Sequence, residues 1–162
     1  MSGYKHILLA VDFGDETRQI AERAADLAQR FNARLTLLHV VEVASLTPVI
    51  EQIPPLAPGM GIPPESQIPV ESNARAAEQA FQHARSALAQ LAENLAVENP
   101  EQLVMDAPST KEEIHRVAKE NAVDLIVVGS HGRHGLALLL GSTANAVLHD
   151  APCDVLAVRI RS

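Results

Sequence analysis

The sequence contains few aromatic residues and a single cysteine. Aromatic side chains make up 2% of the 162 residues, with no tryptophan, one tyrosine and three phenylalanines. Proteins that bind single-stranded nucleic acid stack bases on aromatic side chains, so this composition argues against that class. Because Cys153 is the single cysteine, an intramolecular disulfide framework and a cysteine-based zinc site are both excluded.

Basic residues and long apolar runs are also scarce. The chain has 13 Lys and Arg against 20 Asp and Glu, a net charge of −7, which is the wrong sign for coating DNA phosphates. The first apolar run, Ile7–Val11, is far too short to cross a bilayer and does not resemble a signal peptide. We therefore expect a cytoplasmic protein that does not bind nucleic acid and does not insert into a membrane.

Short apolar runs alternate with longer amphipathic stretches along the whole chain. Runs such as Arg34–Val41 are continuously apolar, which is typical of strands buried on both faces of a parallel sheet. The predicted strands are 5–11, 34–41, 102–105, 124–128 and 153–158, and the predicted helices are 15–31, 71–97, one capped by Ser109, and 142–149. This order predicts an α/β fold in one domain, 1–162. It is an open, doubly wound, Rossmann-like five-stranded parallel sheet with helices on both faces.

One segment interrupts this alternation. Residues 45–72 hold seven of the ten prolines, so neither a helix nor a central strand is expected through them. The segment follows the second strand, at the sheet edge where open α/β proteins bind ligands. It is either a lid or docking loop, or a tolerated surface insertion.

A glycine-rich turn follows the fourth strand. Gly129, Gly132 and Gly135 precede a helix that begins near Gly141, with Ser142 and Thr143 in its first turn. Glycines let backbone amides approach a ligand, and a helix N-terminus favours phosphate. No Asp or Glu occurs from Leu125 to His149, whereas His131, Arg133 and His134 do, which favours an anion site. The alternative is a helix-capping loop with incidental glycines.

Two common phosphate-binding motifs are excluded. The Walker motif needs a lysine before Ser142, and the dinucleotide motif needs several glycines after the first strand, where only Gly14 occurs. At the end of that strand, Asp12 either binds a ligand or accepts from turn amides. His39 is expected to be a satisfied core histidine, and Cys153 a small core residue.

These residues resemble the universal stress protein family. The resemblance rests on Gly129-x2-Gly132, Gly141-Ser142, the strand from Cys153, the strand ending at Asp12, and Leu37-Leu38-His39-Val40-Val41. It extends over the chain except for the proline-rich segment. It implies a fold like that of the adenine nucleotide alpha hydrolases and membership of the ATP-binding branch.

The resemblance also implies a set of site residues. Asp12 and Val40 would contact the nucleoside, Ala10 and Val128 would shape the pocket, and Mg²⁺ would bridge the phosphates rather than bind protein side chains. The ribose and phosphates would contact Gly129, Gly132, Gly141, Ser142 and Thr143. Apart from the resemblance, the charge of Arg133 makes it the candidate for a further phosphate contact. Two chains would pair through the C-terminal strand as a homodimer.

Two departures from the family pattern bear on this site. Eight residues, Arg133 to Leu140, separate Gly132 from Gly141, one fewer than is usual, and Gly14 stands where many members carry serine. Because the glycine loop offers no evident general base, we expect no dedicated catalysis. The favoured function is an ATP-binding stress-response regulator with an unidentified protein partner. The alternatives are a slow ATPase timer and a dimeric interaction module without nucleotide.

Overall fold

Strands and helices alternate in the computed structural model, which describes residues 3–42, 70–130 and 141–160, with the backbone alone for 70–73. The strands are β1 (His6–Ala10), β2 (Arg34–Val41), β3 (Glu101–Asp106), β4 (Leu125–Gly129) and β5 (Asp154–Val158). The helices are α1 (Thr17–Phe31), α2 (Val70–Glu93), α3 (Thr110–Glu120) and α4 (Ser142–Leu148). Most of the proline-rich segment, 45–69, lies outside the described residues, and its last three residues belong to α2.

The five strands form one parallel sheet in the order β3-β2-β1-β4-β5. The chain moves outward from β1 to β3, then returns across the sheet and continues from β4 to β5. Neighbouring strands β1 and β4 are therefore far apart in sequence, and the direction of winding changes between them. This confirms the predicted doubly wound α/β fold and places its switch point between β1 and β4.

Each face of the sheet is covered by two helices. Ile7 and Leu9 of β1 pack in the cluster that contains the buried residues of α1 and α2. Leu8, between them, packs instead with the buried residues of α3 and α4. Successive side chains of a strand point to opposite faces, so burial on both sides explains why the strands are continuously apolar.

The helix boundaries differ from prediction for local reasons. α1 begins at Thr17 rather than at residue 15, because the Thr17 N–H donates to Gly14 O at 3.0 Å in a tight preceding turn. α2 ends at Glu93 rather than at residue 97. There the Asn94 and Leu95 amides bond three residues back, which tightens the last turn. Leu95 stays buried, so the apolar pattern continues past the end of the helix.

Cys153 lies immediately before β5 and is half-buried against the α3–α4 face. Burial raises the pKa of its thiol, with smaller contributions from Asp124 and Asp154. A raised pKa disfavours the reactive thiolate, in agreement with the predicted role as a packing residue.

Within the described ranges, no helix is long and apolar enough to span a membrane.

A buried histidine organises the amino end of the sheet. His6 is 4% exposed, and its Nε2 lies 2.7 Å from Thr36 Oγ1, which itself donates to Glu101 Oε2 at 2.8 Å. Nε2 therefore carries a proton and donates to Thr36. Its Nδ1 lies 2.8 Å from Arg34 Nη2, a donor, and 3.0 Å from Asn121 O, an acceptor. In the neutral ring, His6 Nδ1 carries no proton and accepts from Arg34. In the ionised ring, Nδ1–H donates to the Asn121 carbonyl, but the positive charges of His6 and Arg34 then lie side by side.

The environment of His6 lowers its pKa below the ordinary value of 6.5. Burial is the main cause and the Arg34 charge adds to it, whereas the Asn121 carbonyl, Glu101 and Asp124 act in the opposite direction. As the pH falls, the unfolded chain therefore takes up this proton before the folded chain does. The stability that neutral His6 contributes is fully present above its ordinary pKa and is lost as the pH falls through the folded-state pKa.

This linkage predicts that the free energy of unfolding decreases as the pH is lowered from about 7 to about 5. A His6→Gln variant, which can still donate to Thr36, should show a shallower decrease. At neutral pH it should be less stable by about 1–3 kcal/mol, because partners of His6 lose hydrogen bonds. Urea unfolding of both proteins across this pH range provides the measurement. Parallel pH profiles would show that His6 does not carry the dependence.

Candidate functional site

A cleft of about 590 Å³ opens at the carboxyl ends of the central strands. It lies where β1 and β4 diverge, and it extends over the end of β2. Helix α2 contributes to one wall, and α3 and α4 contribute to the other. Most of the lining side chains are small or aliphatic, and a few polar groups stand among them. This is the composition expected of a small-molecule site at a topological switch point.

The cleft brings together most of the residues that the sequence analysis assigned to a site. Seven of them line it: Ala10, Asp12, Val40, Val128, Gly129, Gly141 and Thr143. Ser142 begins α4, is exposed and is not among the described lining residues. Gly132 and Arg133 lie outside the described residues, as do His131 and His134.

Asp12 is shared between the turn and the cleft. Its Oδ1 accepts from the Gly14 N–H at 3.0 Å and from Thr17 Oγ1 at 3.1 Å, which ties the turn after β1 to the first residue of α1. Its Oδ2 makes no hydrogen bond to the part of the chain that the structure describes. One carboxylate oxygen thus satisfies the turn, as the simpler interpretation predicted, and the residue also lines the cleft.

The turn around Asp12 is geometrically tight. Phe13 adopts a left-handed conformation with φ 54°, which is uncommon for a residue with a side chain. A Cβ atom at Gly14 would lie 3.3 Å from Asp12 Oδ1, closer than most such contacts. Glycine at this position therefore leaves room for the Asp12 carboxylate to bond the turn amide.

His39 has a role that the sequence analysis only half predicted. Its Nδ1–H donates to Val11 O at 2.7 Å, so it is a satisfied histidine within β2. It is also half-buried, lines the cleft and packs against the Phe13 ring, with 4.5 Å between centroids. The bond to Val11 joins the ends of β1 and β2 beside the cleft.

The end of β2 is tied to the start of α3 by Glu42. The N–H and Oγ1–H of Thr110 both donate to Glu42 Oε1, at 3.2 and 2.5 Å. The neighbouring Ser109 caps the same helix, because its Oγ accepts from the Glu112 N–H at 3.4 Å, as predicted. Glu42 and Thr110 both line the cleft.

The two ends of the glycine-rich loop are held together. The Ser130 N–H donates to Val158 O at 2.8 Å, and Ser130 O accepts from the Gly141 N–H at 2.6 Å. The loop between residues 130 and 141 therefore starts and ends beside the cleft. Gly141 has φ −54°, an ordinary value, so its backbone conformation does not itself require glycine.

Sequence reasoning missed four polar lining residues: His39 as a lining group, Glu42, His83 and Thr110. Glu42 directly follows β2, and Thr110 follows the end of β3 by a few residues. Both could have been found by treating every strand's carboxyl end as a candidate, since these ends share one edge. His83 lies on α2, and its position depends on how that helix packs over the sheet, which no local pattern reveals.

The sequence of the chain matches a known protein family and its members. The profile of the universal stress protein family matches residues 3–159. Universal stress protein A homolog 1 of Coxiella burnetii is 40% identical over 156 residues, which cover 96% of this chain and 96% of that protein.

Solved structures share the fold. Universal stress protein UspA from Lactobacillus plantarum superposes with a TM-score of 0.66 and 26% identity, covering 99% of this chain and 100% of its own. A universal stress protein in complex with cAMP has a TM-score of 0.58 at 22% identity, over 99% and 100% of the two chains. The universal stress protein from Archaeoglobus fulgidus in complex with dAMP has a TM-score of 0.56 at 18% identity, and the match again covers 99% of this chain and 100% of that chain. With its fold, its cleft and its full-length relatives in agreement, the chain belongs to the universal stress protein family.

Proposed function

We propose that this protein binds ATP in the cleft and acts as a nucleotide-dependent regulator in the cytoplasm. The observation that carries the proposal is the convergence of Asp12, Val40, Gly129, Gly141 and Thr143 on one cleft at the switch point between β1 and β4. Family members of the same fold that have been solved with cAMP and dAMP support an adenine nucleotide as the ligand class.

The two ends of the ligand would meet different chemistry. Asp12 Oδ2 is suited to accept hydrogen bonds from ribose hydroxyls, while Ala10, Val40 and Val128 offer apolar surface to the nucleoside. The phosphates would lie against Gly129, Gly141 and Thr143, and Ser142 of α4 with Gly132 and Arg133 of the glycine-rich loop would complete their contacts.

Mg²⁺ would enter with the phosphates. Among the described residues, no group of three or more His, Cys, Asp or Glu side chains could hold a metal ion. Mg²⁺ commonly binds nucleotide phosphates and water with few protein ligands, so this lining suits a cation that the nucleotide itself carries. The ion would neutralise phosphate charge beside an acidic protein.

Asp12→Asn tests this proposal without removing the hydrogen bonds of the turn before α1. The amide oxygen can still accept from Gly14 and Thr17, whereas the second carboxylate oxygen is replaced by a donor. We expect affinity for Mg-ATP to fall by about ten-fold or more, the value of one hydrogen bond to a charged group. The melting temperature without nucleotide should be almost unchanged. Calorimetric titration and thermal unfolding of nucleotide-stripped proteins measure the two quantities.

Gly141→Ala addresses the phosphate end in the same titration. Since φ at Gly141 is ordinary, the added methyl group should not unfold the protein, and a loss of binding would report a close approach of the phosphates. A folded wild type that binds no adenine nucleotide would refute the proposal and favour the interaction module. Multiple turnovers of released phosphate would favour the ATPase timer.

We also propose that two chains pair along β5. This strand is at the edge of the sheet and pairs with β4 alone among the described strands. Leu156 on it is 37% exposed, and an apolar edge strand is a template for pairing with another chain. A second copy of β5 would satisfy the outward-facing backbone groups and cover Leu156.

Ala157→Pro is expected to block this pairing. Val158 O accepts from Ser130, so the backbone groups of Val158 face inward and those of Ala157 face outward. Proline at residue 157 removes an outward N–H and leaves the ladder with β4 intact. Sedimentation at micromolar concentration should show a dimer for wild type and for Ala157→Ser, and a monomer for Ala157→Pro. A wild-type monomer, or a dimeric proline variant, would contradict the proposal.

A further inference from the structure

A histidine joins the two helices that form one wall of the cleft. α3 brings Ile114 to this wall, and α4 brings Thr143. His115, the residue after Ile114, is half-buried, and its Nε2 lies 2.9 Å from Val147 O on α4. A carbonyl oxygen can only accept a hydrogen bond, so Nε2 carries the proton and donates it. The two helices are therefore held together by a hydrogen bond as well as by apolar packing.

The accepting carbonyl belongs to the last turn of α4. Carbonyl groups in the last turn of a helix have no partner within the helix, and Leu148 is the final residue of α4. His149, which follows, is extended, so the chain leaves the helix axis at once. Val147 is fully buried, which shields its carbonyl from bulk water. The bond from His115 supplies the donor that a buried carbonyl needs.

The opposite end of α4 lies at the cleft. The Gly141 N–H donates to Ser130 O at 2.6 Å, and Gly141 O accepts from the Asn145 N–H at 2.8 Å in the first turn. The helix has seven residues and is about 10 Å long. A helix this short is held by few contacts and moves as a rigid unit. The bond at Val147 therefore affects where Gly141 and Thr143 stand in the cleft.

A second polar contact in this region is weaker. Lys111 Nζ lies 3.9 Å from Asp150 Oδ2, and the Asp150 side chain is 91% exposed. An exposed ion pair at this distance contributes little to stability, and Asp150 lies beyond the end of α4. The bond from His115 is shorter and better shielded, so it is the stronger restraint on the orientation of α4 against α3.

We propose that His115 is a positioning residue for the phosphates of the nucleotide: by holding the end of α4, it sets the place of Gly141 and Thr143 in the cleft. This inference rests on the proposed nucleotide function and adds to it a residue that is not among the described lining residues. Loss of the bond should weaken the contacts to the phosphates. Contacts to the nucleoside should be unchanged, because Ala10 and Val40 lie on β1 and β2.

The test measures how tightly adenosine, AMP and Mg-ATP bind to the full, nucleotide-stripped chain, by calorimetry and by displacement of ATP. His115→Leu removes the donor and keeps an apolar side chain against the core. We expect its affinity for Mg-ATP to fall about three- to ten-fold, the value of one neutral hydrogen bond. Its affinity for adenosine should be unchanged, and the loss for AMP should lie between the two.

Two further variants separate positioning from folding. His115→Gln places an amide N–H close to the position of Nε2–H and should restore most of the affinity for Mg-ATP. Val40→Ala removes apolar surface at the nucleoside end and should lower all three affinities by a similar factor. The dependence on the number of phosphates is the decisive readout, since a purely structural defect lowers all affinities together. Thermal unfolding verifies that each variant is folded.

The outcomes distinguish this inference from the proposed function. Equal losses for all three ligands in His115→Leu, or no loss for Mg-ATP, would overturn the inference and leave nucleotide binding standing. A phosphate-dependent loss that His115→Gln does not restore would also overturn it, because the donated hydrogen bond would then not be the cause. Failure of the wild type to bind any of the three ligands would refute the proposed function, and this inference with it.

Discussion

Burial of β1 on both faces and both edges determines where the rest of the structure can lie. Ile7, Leu8 and Leu9 are at most 1% exposed, with helices above and below and with β2 and β4 alongside. The helix that follows β1 packs on one face of the sheet, and the helix that follows β4 packs on the other. Their chains leave the sheet in opposite directions, and the gap between them is the cleft.

The two ends of this sheet use polar groups differently. At the amino end, the buried His6 and Thr36 and the exposed Glu101 form a chain of hydrogen bonds, and Asp124 accepts from the Lys5 and His6 amides. At the carboxyl end, Asp12 accepts from the turn after β1, Glu42 accepts from the first residue of α3, and both residues line the cleft. The first end closes the fold, and the second combines support of the neighbouring backbone with polar groups that line the cleft.

The fold was predictable because its signal is local and repeated. Continuous apolar strands separated by amphipathic helices admit few parallel topologies, and β2 was predicted with its observed ends. Boundaries that depend on single hydrogen bonds, such as the start of α1 after the Asp12 turn, were missed by a few residues. Residues at the ends of the strands could be assigned to the cleft from the sequence, because the carboxyl ends of parallel strands lie along the same edge of the sheet. His83 was not predictable, because its place at the cleft depends on how α2 packs over the sheet, and that packing leaves no periodic pattern.

Ser130 connects the glycine-rich loop to the edge of the sheet. Its N–H bonds to Val158 at the end of β5, and its carbonyl bonds to Gly141 at the start of α4. If a nucleotide binds to this loop and a second chain pairs with β5, the buried Ser130 connects the two binding sites by hydrogen bonds. Any shift at Ser130 on nucleotide binding would then change the affinity of the chains for each other. Thermodynamic linkage would require the reverse effect to be equally large, so the dimer would be a reporter of nucleotide occupancy.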